Sequence, residues 1–153
     1  MIILGIDPGS RKTGWGVIRH QAGRSEALAH GTIVLGKRQG DKAALPERLV
    51  TLADAIDAIV REHRPEACAV ERIFAAKNAR SALVLGHARG VALCQVARAG
   101  IALYEYTPAE VKQAVAGTGR ATKTQVGRMV KMLLGHHGAI AEDAADALAL
   151  ALT

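Results

Sequence analysis

Apolar residues follow two different rhythms along this chain. At the start, Ile2-Ile3-Leu4-Gly5-Ile6 form an unbroken run that stops at Asp7, and Pro8-Gly9 forces a turn before a second run, Thr13-Gly14-Trp15-Gly16-Val17-Ile18. Continuous Ile and Leu mark a strand buried on both faces, normally central in its sheet. The pattern predicts strands over Ile2 to Asp7 and Thr13 to Arg19, joined by their short turn into an antiparallel hairpin. Gly23-Arg24 makes another turn, and Ala27 to Leu35 predicts a third strand. Ending the first strand in Asp7 puts a carboxylate at the carboxyl edge of the sheet, where open α/β sheets place their chemistry.

After the polar loop Gly36 to Asp41 the rhythm becomes helical. Leu45, Leu49, Leu52, Ile56, Ile59 and Val60 fall on one stripe, and Pro46 suits a first helical position. Pro65 closes that helix, and Ala67 to Glu71 predicts a short strand that also ends in a carboxylate. Residues 79–98 predict a helix whose apolar arc, from Leu83 through Val91 to Val96, is wide enough for burial on two sides. Ile101 to Tyr106 predicts the fifth strand. Thr107-Pro108-Ala109-Glu110 and Thr122-Lys123-Thr124-Gln125 are capping boxes that open two further helices, with Gly117-Thr118-Gly119 between them. A last helix is expected from about Asp143. The order β-β-β-α-β-α-β-α-α-α reads as one α/β domain over residues 1–153, a five-stranded mixed sheet flanked by helices. A right-handed crossover through the first long helix sets strands one and four parallel and adjacent. Asp7 and Glu71 then emerge side by side.

Composition narrows the function. Half of the 153 residues are apolar and 22% are charged, as in a packed globular chain. Twenty Lys and Arg against fourteen Asp and Glu give a net charge of +6, which suits a polyanionic partner, nucleic acid before an anionic membrane. No stretch reaches the ~18 apolar residues of a membrane span, and the opening run lacks the basic leader of a signal peptide. A cytoplasmic protein is therefore expected. Cys68 and Cys94, lacking metal-ligand spacing, read as small buried hydrophobes.

The third acidic element is Glu142-Asp143-Ala144-Ala145-Asp146. Asp143 and Asp146 share a helix face; alone, they read equally as an N-cap and an N3 acid favoured by the helix dipole. Joined to Asp7 and Glu71 they mean more. Four clustered carboxylates repel one another unless cations sit between them, and oxygen-only ligands select hard ions such as Mg²⁺ or Mn²⁺. Two such ions would clamp the attacking and leaving oxygens of an in-line phosphodiester displacement. His136-His137 reads as a helix end rather than a metal site.

Asp7-Pro8-Gly9-Ser10-Arg11 with Thr13-Gly14-Trp15-Gly16, Glu71 through Asn78, Gly86-His87-Ala88-Arg89-Gly90-Val91 and Asp143 through Ala149 resemble the RuvC family of Holliday-junction resolvases, collinearly over essentially the whole chain. The resemblance implies an RNase H-like fold, a homodimer, two Mg²⁺ per subunit with Mn²⁺ as a substitute, and paired symmetric nicks in a four-way DNA junction. It also implies cooperation with the branch-migration proteins RuvA and RuvB. Asp7, Glu71, Asp143 and Asp146 stand where the family has its catalytic, metal-holding acids. A longer tail found in relatives is not expected to contribute past Thr153. Phe74 either packs in the core or, by the resemblance, stacks exposed on an unpaired base. Lys112 and Lys123 become phosphate ligands, with Lys123 close enough to act on the scissile phosphate, and Arg11, Lys77, Arg80 and Arg120 are further phosphate contacts. The Gly86-to-Gly90 spacing lets another helix approach closely, so the outer side of helix 79–98 is the expected dimer contact. Competing families remain: sugar-kinase and actin-like ATPases share the Asp-x-Gly opening but need a second lobe, and an RNA-processing RNase H-like enzyme would share the acids. A DNA-binding module without catalysis is disfavoured, since four acids near phosphate cost affinity without metal.

Overall fold

The computed structural model describes residues 1–35, 44–72 and 79–153, with Arg80 described by its backbone alone. Five strands form one mixed sheet in the order β3-β2-β1-β4-β5. Strands β1 (Ile2–Asp7), β2 (Lys12–Gln21) and β3 (Arg24–Val34) make an antiparallel meander. Beyond it, β4 (Ala67–Glu71) runs parallel to β1, and β5 (Ala102–Tyr106) runs parallel to β4. The crossover expectation therefore holds, with β1 and β4 as neighbours.

The β2–β3 hairpin is longer than its hydrophobic pattern predicts. Its polar ends, Arg19-His20-Gln21 and Arg24-Ser25-Glu26, continue the ladder into solvent. Arg19 donates to Glu26 at 2.7 Å, and His20 Nδ1 shares a hydrogen bond of 2.9 Å with the Ser25 hydroxyl. Cross-strand pairs of this kind carry a ladder past its apolar core. The hairpin turns at Ala22-Gly23, both at positive φ.

Period-two alternation sorts the strand residues onto two faces. Leu4 and Ile6 of β1, with Cys68 and Val70 of β4, face the pair of long helices α1 (Leu45–His63) and α2 (Ala79–Arg98). Leu52, Ile56 and Ile59 of α1 and Ala88, Ala92 and Val96 of α2 complete that core. Each fully buried aliphatic side chain contributes about 1.5–3 kcal/mol. The opposite face carries Ile3, Gly5 and Asp7 on β1, and Ala69 and Glu71 on β4. It packs beneath α3 (Pro108–Ala116), α4 (Lys123–Leu133) and α5 (Glu142–Ala151). Both predicted capping boxes form: Thr107 with Glu110 opens α3, and Thr122 with Gln125 opens α4.

On this second face α5 lies almost in backbone contact with the sheet. A Cβ at Gly5 would stand 1.9 Å from the Ala147 carbonyl oxygen, and one at Gly14 would stand 1.9 Å from the Asp143 carbonyl oxygen. The helix answers with small residues, Ala144, Ala147, Ala149 and Ala151, all buried. Only glycine on the strands and alanine on the helix permit so close a seat. That seat carries the acids of α5 down to the level of Asp7.

Candidate active site

Asp7 and Glu71 reach the same place for the same reason. Each is the last residue of a central parallel strand, and each has the parity that turns its side chain toward α5. The turn after Asp7 is held from two sides. The Gly9 N–H donates to the buried Thr13 hydroxyl at 3.4 Å, and the Arg48 guanidinium of α1 donates to the Ser10 carbonyl. Asp146 approaches from α5. Together Asp7, Glu71 and Asp146 line a cleft of about 290 Å³, which Lys112 of α3 and Lys123 of α4 also line.

The two acids of α5 do not cap their helix. Its N-cap is Ala141, which offers no side-chain acceptor, so Asp143 falls second in the helix and Asp146 in the second turn. The capping alternative fails because the helix starts earlier than the acid-rich pattern implies. Glu142 and Asp143 occupy the first turn, where the helix dipole favours them; Asp146 lies beyond its short reach. Asp143 is not on the cleft wall, yet its charge is close enough to act on Asp7.

The electrostatics report uncompensated negative charge. Burial, followed by repulsion from Glu71 and Asp146 and more weakly Asp143, pushes the Asp7 carboxyl up to about 7, against the opposing pull of Lys123. Glu71 is also raised, first by burial and then by Asp146. Lys123 is the local counter-charge: its ammonium lies 3.0 Å from Glu142 Oε1 and 3.2 Å from Asp146 Oδ2. Those hydrogen bonds push its pKa up. Lys123 and Glu142 are 70% and 74% exposed, so their pairing contributes ~1 kcal/mol or less.

This donor set fits a hard divalent cation. Carboxylates raised by burial and mutual repulsion gain most from a positive ion among them, and every candidate donor is oxygen. Among the described residues no group of three or more His, Cys, Asp or Glu forms a ready-made metal cage. Mg²⁺ seldom uses one; it is usually held by one or two carboxylates, waters and substrate phosphates.

The remaining expected residues divide. Lys112 is half-buried at the cleft, whereas Arg11 and Arg120 are exposed outside its lining. The loop before Arg120 is fixed by Gln113, which donates to the Gly117 carbonyl at 3.0 Å and accepts from the Gly119 N–H at 3.2 Å. Phe74 and Lys77 lie outside the described residues, and Arg80 joins α2 through its backbone. Cys68 is buried as expected, but Cys94 is exposed, a correction to its expected burial. Cys94 lines an apolar groove with Leu49, Leu83, Gly86, Gly90 and Val91. Helix α2 thus buries one side, and among the described residues the side carrying Leu83, Gly86, Gly90 and Cys94 is open.

Sequence reasoning missed several polar residues near the acids. Arg128 and Lys131 of α4 share a groove with Lys123, Thr124, Glu142 and Asp146, continuous with the cleft through Lys123 and Asp146. The signal was available: α4 carries Lys123, Arg128 and Lys131 and no acid. Arg89 of α2 also went without a role. Its Nε donates to the Glu71 carbonyl at 3.2 Å, and its Nη2 donates to Glu105 Oε2 at 2.6 Å.

Known proteins resemble this chain in sequence and in fold. A family model described as crossover junction endodeoxyribonuclease RuvC matches residues 3–153. A relative from Halorhodospira halophila, named crossover junction endodeoxyribonuclease RuvC, is 51% identical over 151 residues, covering 98% of this chain and 87% of its own. The solved structure of T. thermophilus RuvC in complex with a Holliday junction substrate superposes with a TM-score of 0.90 at 34% identity, over 99% of this chain and 91% of that one. The yeast mitochondrial Holliday junction resolvase shares the fold at a TM-score of 0.67 and 12% identity, over 98% of this chain and 77% of its own.

Proposed function

The chain belongs to the RuvC family of crossover junction endodeoxyribonucleases, and from that premise we propose that it resolves Holliday junctions by paired symmetric nicks in homologous recombination and DNA repair. The observation that carries the proposal is the convergence of Asp7, Glu71 and Asp146 on one cleft faced by Lys112 and Lys123. An acidic floor under a basic wall, in a chain of net charge +6, suits a phosphodiester drawn in by lysines and cut above carboxylates.

In this proposal Asp7, Glu71, Asp143 and Asp146 hold two Mg²⁺ per subunit, with Mn²⁺ as a substitute. When bound, these ions supply Lewis-acid stabilisation of charge on the attacking and leaving oxygens. The protein's own groups do the rest. Lys112 and Lys123 bind the non-bridging phosphate oxygens and orient the phosphorus over the acids. Lys123, released from Asp146 as phosphate arrives, stabilises negative charge that grows in the transition state. Water attacks phosphorus in line with the departing 3′ oxygen. The P–O3′ bond breaks, the attacking water gives up a proton to solvent, the 3′ oxygen takes one up from solvent, and the phosphate stays on the 5′ end. Arg11, Lys77, Arg80 and Arg120 extend the phosphate contacts, and Phe74 stacks on an unpaired base at the crossover.

Residues 1–153 act as one RNase H-like nuclease domain. Two copies pair through the open side of α2, where a Cβ at Gly86 or Gly90 would meet nothing within 4 Å among the described residues and Leu83 is 65% exposed. Two-fold symmetry then presents one site to each of two strands of like polarity. RuvA and RuvB are the proposed partners, in the cytoplasm. Among the described residues no helix is long and apolar enough to cross a membrane.

The test is nicking of a synthetic four-way DNA junction with and without Mg²⁺, beside a linear duplex and a structured RNA. Metal-dependent symmetric nicks in the junction alone are expected. Cleavage confined to the RNA, or nicking unchanged by chelator, would overturn the assignment.

A further inference from the structure

Within the motif Gly86-His87-Ala88-Arg89-Gly90, Ala88 is buried in the core and the two glycines lie on the open side of α2. Arg89 points the other way, is 19% exposed, and reaches the end of the sheet. What it meets there is an end that the strands cannot close by themselves. β1 pairs with β4 as far as Ile6–Val70, and Pro8 has no N–H with which to carry the ladder on to Glu71. On the other side, the Arg72 N–H donates to the Tyr106 carbonyl at 2.7 Å, one residue beyond the end of β4. The Glu71 carbonyl takes its hydrogen bond from Arg89 Nε at 3.2 Å. The same guanidinium reaches Glu105 Oε2 on β5 at 2.6 Å, and Arg72 adds a longer contact to that carboxylate at 4.0 Å.

We propose that Arg89 is a positioning residue for Glu71, clamping the carboxyl ends of β4 and β5 so that the Glu71 carboxylate is held over the cleft for a divalent cation. The planar fork of arginine suits this task because one side chain serves a carbonyl and a carboxylate in a fixed relation. The clamp also makes α2 answer for the site, since this helix carries the proposed pairing side and Arg89 together. The inference rests on the reading of Glu71 as a cation ligand.

The experiment measures Mg²⁺ and Mn²⁺ affinity by calorimetry on the DNA-free protein, alongside the cation dependence of junction cleavage. Removing the support of a metal ligand typically costs about 10–100-fold in metal affinity. Arg89→Ala is expected to weaken cation binding about tenfold or more, with cleavage largely recovered at saturating cation. Junction binding in chelator should stay within about twofold of the unsubstituted protein. Arg89→Lys retains the charge without the fork and should rescue only partly. Glu105→Gln keeps the donors of Arg89 while weakening one acceptor; it should shift affinity in the same direction by less, and serves if Arg89→Ala does not fold. Unchanged cation affinity in a folded Arg89 variant, or in Glu105→Gln if that variant alone folds, overturns the proposal. Loss of junction binding in step with cleavage would mark a general structural defect and overturn it too. Failure of the underlying reading looks different: the unsubstituted protein would bind neither cation.

Discussion

The two faces of the sheet are built from opposite materials. Under α1 and α2 the contacts are made by branched aliphatic side chains, Leu4, Ile6, Val70, Leu52 and Ile56, none more than 1% exposed. Under α5, beside the buried Leu148 and Leu150, main chain meets main chain, with Gly5 and Gly14 on the strands against the alanines of the helix. Side-chain packing tolerates small shifts, because neighbouring rotamers can adjust. Backbone seated on backbone has no such freedom. The first face contributes stability, and the second fixes the depth at which Asp143 and Asp146 stand relative to Asp7. The proposed cation site, which needs closely spaced carboxylates, stands on the stiffer material.

The sharpest break in this comparison is expected at the acids. Asp7→Asn removes a carboxylate from the stiff face without altering volume, and junction cleavage should fall by more than about a thousandfold, ~4 kcal/mol of barrier. Junction binding at moderate salt should be retained, and filter binding beside a nicking assay measures both. Leu52→Ala attacks the other face. A buried leucine cut to alanine costs about 2–5 kcal/mol of stability, read by urea denaturation. The specific activity of the protein that remains folded should change less than twofold.

Acidity offers a third test. Asp7 titrates at about 7 in the folded chain against 3.8 ordinarily, so the folded state holds this proton more tightly than the unfolded one. That contribution to stability is complete below about pH 4 and is lost as pH rises through 7, at most on the order of 4 kcal/mol. The metal-free melting temperature should therefore fall between pH 5 and 8. Asp7→Asn should flatten the slope, and Mg²⁺ should restore stability at pH 8. A slope identical in the two proteins would remove the electrostatic account of the cleft. Gly14→Ala is expected to destabilise by more than about 1–3 kcal/mol, the usual range for overpacking, because the added methyl meets fixed main chain rather than a side chain that can turn. Its cleavage loss should exceed that of Leu52→Ala, since the added methyl collides with the Asp143 carbonyl oxygen.

What the sequence revealed, and what it hid, follows the same division. Unbroken apolar runs ending at Asp7 and Glu71 announced central strands and their carboxyl edge, because burial on both faces leaves a one-dimensional trace. The capping boxes at Thr107 and Thr122 were equally plain, each needing only residues three apart. The seat of α5 left no local signal. Gly5 and Gly14 looked like turn or strand residues of no special value, and their meaning depends on a helix that begins near residue 142. The start of α5 near Asp143 was legible, but its cap was not: Ala141 caps it without any side-chain bond that composition could disclose. Arg89 stood inside a recognisable motif, yet its work is done on a carbonyl and a carboxylate 18 and 16 positions away. The exposure of Cys94 depends on which side of α2 meets α1, and a wide apolar arc does not decide that.

The acids of the cleft come from opposite ends of the fold, β1 and α5. A nascent polypeptide that has left the ribosome only as far as α4 owns Asp7 and Glu71 but neither Asp143 nor Asp146. The acidic cluster is therefore complete only once α5 is seated on the sheet, which joins the first strand to the last helix.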